Sequence, residues 1–336
     1  MIGSGKLNAF VELGDRIKAL GENERKALAS KAYQKNRWFD FPNVDFALNQ
    51  VSSMLSRQEL ESWLSRYTET ALESKKVGLI MAGNIPMVGF ADALAVLLSG
   101  HRLHAKMSQD DQTLMLFLFE TLLEIDPTLA SQITLIDKLN EVDAVIATGS
   151  DNTAKHFEYY FKNKPHIIRR NRVSVAILNG EETPDELAAL GTDIFQYYGL
   201  GCRNISKIFI PAEYDLATFF EAIEPWRPVI DHHKFNNNYE YNRAIYLLKS
   251  VTHLDNGFLI LTETTDLVSP IAIVLYERYS DVQQLQDSLE AQKEKIQCIV
   301  ASGSFWPGAV PFGQAQMPHL WNYADGVDTM KFLLSV

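Results

Sequence analysis

One cysteine on a glycine-flexed turn is the residue in this chain best suited to nucleophilic chemistry. It lies in Gln196-Tyr-Tyr-Gly199-Leu-Gly201-Cys202-Arg203-Asn204-Ile-Ser206-Lys-Ile-Phe-Ile-Pro211. The apolar rhythm before it (Leu187, Leu190, Ile194, Phe195, Tyr198), with Pro184 and acids at its start, predicts a helix over 184–198. Gly199 and Gly201 then mark the helix end, and β-branched residues over 206–210 predict a strand. A thiol on such a turn is open to substrate, and the thiolate is the attacking form in cysteine chemistry. Taken alone, the same stretch reads better as a buried, packing cysteine, the commoner fate of that residue type.

Three further groups sit where strands give way to helices. Gly83-Asn84-Ile85-Pro86 follows the predicted strand 77–81, and its asparagine could offer an amide N–H to a developing oxyanion. By itself the tetrapeptide reads better as a turn opening a helix. Lys106-Met-Ser108 follows the strand 102–106 and could meet a ribose or phosphate, although a surface lysine is the ordinary outcome. Thr148-Gly149-Ser150 follows the strand 142–147, where backbone N–H groups could approach a pyrophosphate or simply cap a helix. His232-His233, in what reads as a polar loop, are candidates for proton transfer, as is His319. Arg169-Arg170-Asn171-Arg172 is the one compact basic cluster and is expected at the surface.

The elements that must position these residues follow from periodicity. Residues 1–76 carry helical periodicity only, with helices expected over 23–35, 44–56 and 57–73 and solvated charge runs such as Glu22, Glu24, Arg25 and Lys26. Trp38 to Pro42 breaks these helices. Residues 77–172 alternate short strands with helices over 87–99, 110–124 and 151–161, which argues a parallel sheet covered by helices. No GxGxxG follows any strand. Residues 173–310 alternate again, with strands over 174–178, 206–210, 258–262, 271–276 and 297–301, and form a second α/β lobe. Residues 311–336, rich in turn formers and aromatics, read as a tail packed where the lobes meet. The expected fold class is α/β: two doubly wound lobes with a helical lead-in and a cleft between the lobes.

Bulk properties exclude several functions. With 336 residues, two lobes are expected, and 46% hydrophobic with 22% charged residues is a globular composition. A formal charge of −11 argues against nucleic acid and anionic membrane as partners. The two cysteines, Cys202 and Cys298, show neither disulfide nor zinc spacing. No apolar run is long enough to span a bilayer, so the expectation is a cytoplasmic protein without an integral membrane segment.

Read together, the ordered set Asn84-Ile-Pro86, Lys106-x-Ser108, Thr148-Gly149-Ser150 and Gly199-x-Gly201-Cys202 resembles that of the aldehyde dehydrogenase superfamily. The runs Ala82-Gly-Asn-Ile-Pro-Met-Val-Gly-Phe, Leu97-Leu-Ser-Gly-His101, Gly201-Cys202-Arg203-Asn204-Ile-Ser206 and Pro311-Phe-Gly-Gln-Ala-Gln316 are similar to those of LuxC-type long-chain acyl-CoA reductases, which supply fatty aldehyde in bioluminescent bacteria. The resemblance covers the chain from about Val77 to near its end. It implies that Cys202 is the acyl-accepting nucleophile and that Asn84, with the Cys202 backbone N–H, donates to the oxyanion. It further implies that Lys106 and Ser108 hold the adenosine ribose, that Thr148, Gly149 and Ser150 border the pyrophosphate, and that Asp266 meets the nicotinamide ribose. The substrate implied is acyl-CoA.

Two departures sharpen the expectation. The glutamate that hydrolytic aldehyde dehydrogenases keep ahead of their counterpart of Ser174 is absent, and Arg169 stands at about that position. Without a base to activate water, an acyl-enzyme persists for thiol exchange or reduction. The chain also lacks a counterpart of the β-hairpin through which typical members oligomerise, which leaves a homo-oligomer open. Gln109 replaces the glutamate of NAD-preferring relatives, which leans toward NADPH with NADH as the alternative. A hydrolytic aldehyde dehydrogenase and a catalytically silent nucleotide- or acyl-binding homologue are the competing readings.

Overall fold

The computed structural model describes residues 4–68, 73–139 and 141–336. The chain divides into two compact units, one comprising the chain up to Asn171 together with His319–Val336, the other Arg172–Pro318.

The first unit opens with four helices, α1 (Ser4–Ala19), α2 (Glu22–Lys35), α3 (Phe41–Met54) and α4 (Arg57–Leu64). Asp40 starts α3 by accepting from the Asn43 N–H, with Pro42 in the first turn where its missing N–H costs nothing. Phe10, Leu13 and Ile17 of α1 are buried, and α1 packs on α3. Arg25 departs from the expected solvated charge run. It is buried and donates to Asp45, Asn49 and the carbonyls of Ile17 and Leu20, so it ties α1, α2 and α3 together. The helix expected over 57–73 stops at Leu64, residues 69–72 lying outside the described ones. The chain turns there so that Tyr67 can donate to Asp328 (2.9 Å) and meet Tyr323 (2.6 Å).

After these helices the chain alternates: β1 (Lys76–Ile80), α5 (Phe90–Leu98), β2 (Arg102–Lys106), α6 (Gln112–Ile125), β3 (Ile133–Leu135), β4 (Ala144–Thr148), α7 (Asp151–Phe161) and β5 (His166–Arg169). The five strands are parallel, in the order β3-β2-β1-β4-β5. Helix α5 begins three residues later than its periodicity predicts, because Met87 takes a left-handed backbone (φ 56°) and the turn runs on to Gly89. Helices α1 and α2 pack against α6.

In the second unit β6 (Val173–Ile177), α8 (Pro184–Phe195), β7 (Ile205–Pro211), α9 (Leu216–Ala222), α10 (His233–Leu248), β8 (Leu254–Asp255), β9 (Ile260–Glu263), β10 (Ile273–Tyr279), α11 (Val282–Ala291) and β11 (Ile296–Ala301) follow. The sheet order is β11-β6-β7-β10-β9-β8, parallel except for the short edge strand β8. Thr183 and Glu186 cap α8 reciprocally, with Pro184 as its first residue. His232-His233 do not lie in a loop. His232 caps α10 by accepting from the Phe235 N–H, and His233 is that helix's first residue.

A last helix, α12 (Thr329–Leu333), returns to the first unit and packs on α5. His101, fully buried, accepts from the Lys75 N–H and donates to the Leu333 carbonyl (2.7 Å), which holds that helix end. No helix among the described residues is long and apolar enough to cross a membrane.

Candidate active site

The first unit's strand order reverses between β1 and β4, since β2 lies on one side of β1 and β4 on the other. In open parallel sheets the crevice beyond the strand ends at such a reversal is where a nucleotide binds. Asn84, exposed, follows β1, and Thr148, Gly149 and Ser150 close β4 and open α7. Lys106 ends the neighbouring β2, with Ser108 two residues on. All six residues therefore stand at the carboxyl edge of three adjacent strands. Two of the loops touch closely: a Cβ on Gly83 would fall 2.3 Å from Ser108 Oγ, so only glycine lets the backbone pass there. Ser150 caps α7 by accepting from the Thr153 N–H (3.4 Å), and Gly149 donates to the Arg169 carbonyl (3.2 Å). The strand reversal and the close glycine approach fit a dinucleotide.

Arg169 is not at the surface. Its guanidinium makes two bonds to the Asp92 carboxylate (2.7 and 2.8 Å) and one to Thr329 (2.8 Å), all buried. Burial drives it to a carboxylate fork, so α5, β5 and α12 are locked together within the first unit. Arg170, by contrast, makes an exposed pair with Glu158.

In the second unit the thiol is open: Cys202 is exposed, on the turn that precedes β7. The helix before it ends at Phe195, three residues earlier than its apolar rhythm extends. Tyr197 (φ 54°), Tyr198 (φ 58°) and Gly199 (φ 77°) follow in the left-handed region. That region costs an L-residue roughly 1–2 kcal/mol, so the two tyrosines need compensation. Both rings are buried, and Tyr198 stacks on His232 at 4.1 Å between centroids. Thus His232 is engaged in this turn through its ring face.

The turn is then closed by one side chain. Asn204 Nδ2 donates to the carbonyls of Gln196 (2.8 Å), Asp193 (3.0 Å) and Ile194 (3.3 Å), the last two in the final turn of α8. Its Oδ1 accepts from the Gly201 N–H (2.8 Å), and its own N–H donates to the Gly201 carbonyl (3.0 Å). From the other side Ser174 donates its hydroxyl to the Cys202 carbonyl (3.0 Å). With its one proton committed there, the Ser174 oxygen accepts from the Cys298 thiol at 3.1 Å. Burial pushes the Cys298 thiol up, against the pull of the Arg203 guanidinium and Ser174. Cys298 therefore supports Ser174, and through it the Cys202 carbonyl, from beneath the turn.

Asp266 is exposed in the segment between β9 and β10. Its neighbour Leu267 accepts from Ser206 (2.6 Å), four residues past the thiol, so Asp266 and Cys202 are framed by the same strand β7. Register pairs Ser174 with Ile205 and Val173 with Ile296, which sets Cys202, Ser174 and Cys298 at the amino edge of the second sheet. Asp193, fully buried on α8, accepts from the Gly313 (2.7 Å) and Ala315 (2.8 Å) N–H groups and anchors the Pro311–Gln316 loop. Burial pushes its carboxyl up to about 6 against those two donors. His319 belongs to the first unit, bound to Glu59 (3.0 Å) and stacked on Trp321. Among the described residues no cluster of His, Cys, Asp or Glu could hold a metal.

The sequence model of the acyl-CoA reductase (LuxC) family matches residues 43–223, more than half of the chain and including Asn84 and Cys202. The chain belongs to the LuxC acyl-CoA reductase family. No curated protein matches. Solved structures of similar fold include aldehyde dehydrogenases. A Burkholderia cenocepacia protein assigned to that group shares 13% identity at a TM-score of 0.67, over 90% of this chain and 74% of its own. An indole-3-acetaldehyde dehydrogenase in complex with NAD+ shares 12% identity at 0.65, over 89% and 72%. An aldehyde dehydrogenase from Bacillus cereus in an NAD+ complex shares 13% at 0.62, over 90% and 72%. The LuxC family member therefore has the aldehyde dehydrogenase fold. The Ser174 bridge is not signalled locally in the sequence, since its partners lie 28 and 124 residues away, whereas the Asn204 cap joins residues of one stretch.

Proposed function

We propose that this protein reduces a long-chain acyl-CoA to an aldehyde through a covalent acyl-Cys202 intermediate. The observation that carries the reading is the exposed thiol on a fully braced turn, in a chain of the LuxC family. The Cys202 thiolate attacks the thioester carbonyl carbon, a tetrahedral oxyanion forms, and collapse expels CoA as its thiolate. Asn84 and the Cys202 backbone N–H donate to that oxyanion, and a side-chain donor of this kind is worth about 2.7–4 kcal/mol. Lys106, Ser108, Thr148, Gly149 and Ser150 hold the nucleotide of NAD(P)H, and Asp266 its nicotinamide ribose. When bound, the nicotinamide supplies a hydride to the acyl carbon, so that aldehyde leaves and the Cys202 thiolate is regenerated.

Support for a nicotinamide cofactor comes from the strand reversal at β1 and β4 and from the NAD+ complexes among the fold relatives. Gln109 favours NADPH, and Gln109→Glu is expected to move preference toward NADH, read as the ratio of kcat/KM for the two. Reduction is favoured over hydrolysis because Arg169, at about the place of the missing base, is held by Asp92 and cannot activate water.

Intact-mass measurement after mixing with acyl-CoA of several lengths tests the reading. An adduct on Cys202, absent from Cys202→Ala, is expected. Turnover of acyl-CoA by Cys202→Ala would end it, and strict dependence of the reverse reaction on CoA separates it from hydrolysis.

A further inference from the structure

We propose that Asn204 is a positioning residue for the nucleophile, acting through the backbone of the 196–204 turn; the inference rests on the reading of Cys202 as the acyl acceptor. Three observations converge on it. The backbone leaves α8 through two left-handed tyrosines, a conformation that does not persist without outside constraint. The Asn204 amide binds three carbonyls at the departure point of that path, and its oxygen binds the N–H of Gly201, the residue before the thiol. Asn204 is itself 4% exposed and so cannot exchange these partners for water.

The geometry is that of a clasp. One planar side chain holds both ends of a nine-residue loop, with Cys202 on the exposed span between Gly201 and Asn204 itself. Aspartate in its place keeps the acceptor toward Gly201 but turns an oxygen toward three carbonyl oxygens. Alanine or serine removes the three-carbonyl cap and lets the tyrosines relax, which carries the sulfur away from its attacking position. Asn204 is buried and its side chain bonds backbone groups of the turn, so its loss should change the rate of the chemical step rather than the binding of acyl-CoA.

The test compares Asn204→Ala with Asn242→Ala, which deletes a buried amide bonded to the Ile271 carbonyl (2.9 Å) elsewhere in the same unit. Asn204→Ala is expected to lower kcat by about 10- to 100-fold, as displacement of a reacting group by an ångström does, with KM for acyl-CoA within about threefold of wild type. It should also displace the pH midpoint of iodoacetamide labelling at Cys202 in the folded protein, while Asn242→Ala leaves that midpoint in place. If Asn204→Ala melts earlier, as Asn242→Ala does, yet keeps the wild-type kcat and labelling midpoint, Asn204 is only a helix cap and the proposal is overturned. Should the alanine variant not accumulate as folded protein, the milder Asn204→Ser is read in the same way. The labelling arm needs no acyl-CoA, so wild-type protein that forms no acyl adduct would defeat the functional reading while still deciding the role of Asn204.

Discussion

Neutralising Asp193 should remove a pH-dependent contribution to the second unit's stability in a defined window. The carboxylate is buried on α8, two residues before that helix ends, and receives two backbone N–H groups from the Gly313–Ala315 segment. Burial nonetheless dominates and pushes its pKa up to about 6, from an ordinary aspartate value of about 3.9. Because the folded form holds its proton more tightly than the unfolded form, the contribution is fully present below about pH 4. It is lost as pH rises through about 6. At ~1.36 kcal/mol per tenfold in affinity the whole span is roughly 3 kcal/mol, of which about 2 kcal/mol falls between pH 4.5 and 8. Urea unfolding of wild type and Asp193→Asn across that range isolates the effect, since the other titrating groups cancel in the difference. Wild type minus variant should fall by about 2 kcal/mol toward pH 8. A difference that is flat, or that rises with pH, would refute the reasoning and mean that the two N–H donors outweigh burial.

Other perturbations have equally definite outcomes. Asp92→Ala strands a buried guanidinium with Thr329 as its remaining partner and should cost about 3–5 kcal/mol by denaturant unfolding, whereas replacing Arg169 and Asp92 together by Met and Leu should come close to neutral. Gly83→Ala forces a methyl to 2.3 Å from Ser108 Oγ, so affinity for the nicotinamide cofactor should drop by about tenfold, roughly 1.4 kcal/mol, as titration calorimetry will read. Iodoacetamide at neutral pH should label Cys202 faster than Cys298 in the folded protein, as peptide mapping will read, because Cys202 is exposed whereas Cys298 is half-buried and bonded to Ser174.

Much of the architecture was legible from the chain alone. The strands at 102–106, 206–210 and 297–301 and the helix 151–161 appear within a residue or so of their expected positions, because period-2 and period-3.6 patterns are local and burial enforces them. Short or polar elements were not legible: β5, α9 and α12 carry too few residues to establish a period, and α1 has its apolar positions masked by interspersed charge. Helix ends erred where a left-handed residue intervenes, at Met87 and at Tyr197, since neither methionine nor tyrosine announces that conformation.

For the site, residue types and spacing alone determined which side chains could do chemistry, and placed Asn84, Lys106, Ser108 and Thr148–Ser150 after strands where a nucleotide site belongs. They also determined that Cys202 would fall on a turn, because paired glycines end helices. Only the tertiary structure decided that Arg169 and Arg25 are buried partners rather than solvated charges, that His232 is a stacked cap, and that Asn204 and Ser174 hold the thiol's turn from two sides. The physical reason is range. A periodicity is written in neighbouring residues, whereas the partner of a buried polar group is chosen by whatever the folded chain brings within hydrogen-bond distance, here as far as 232 residues away for His101 and Leu333.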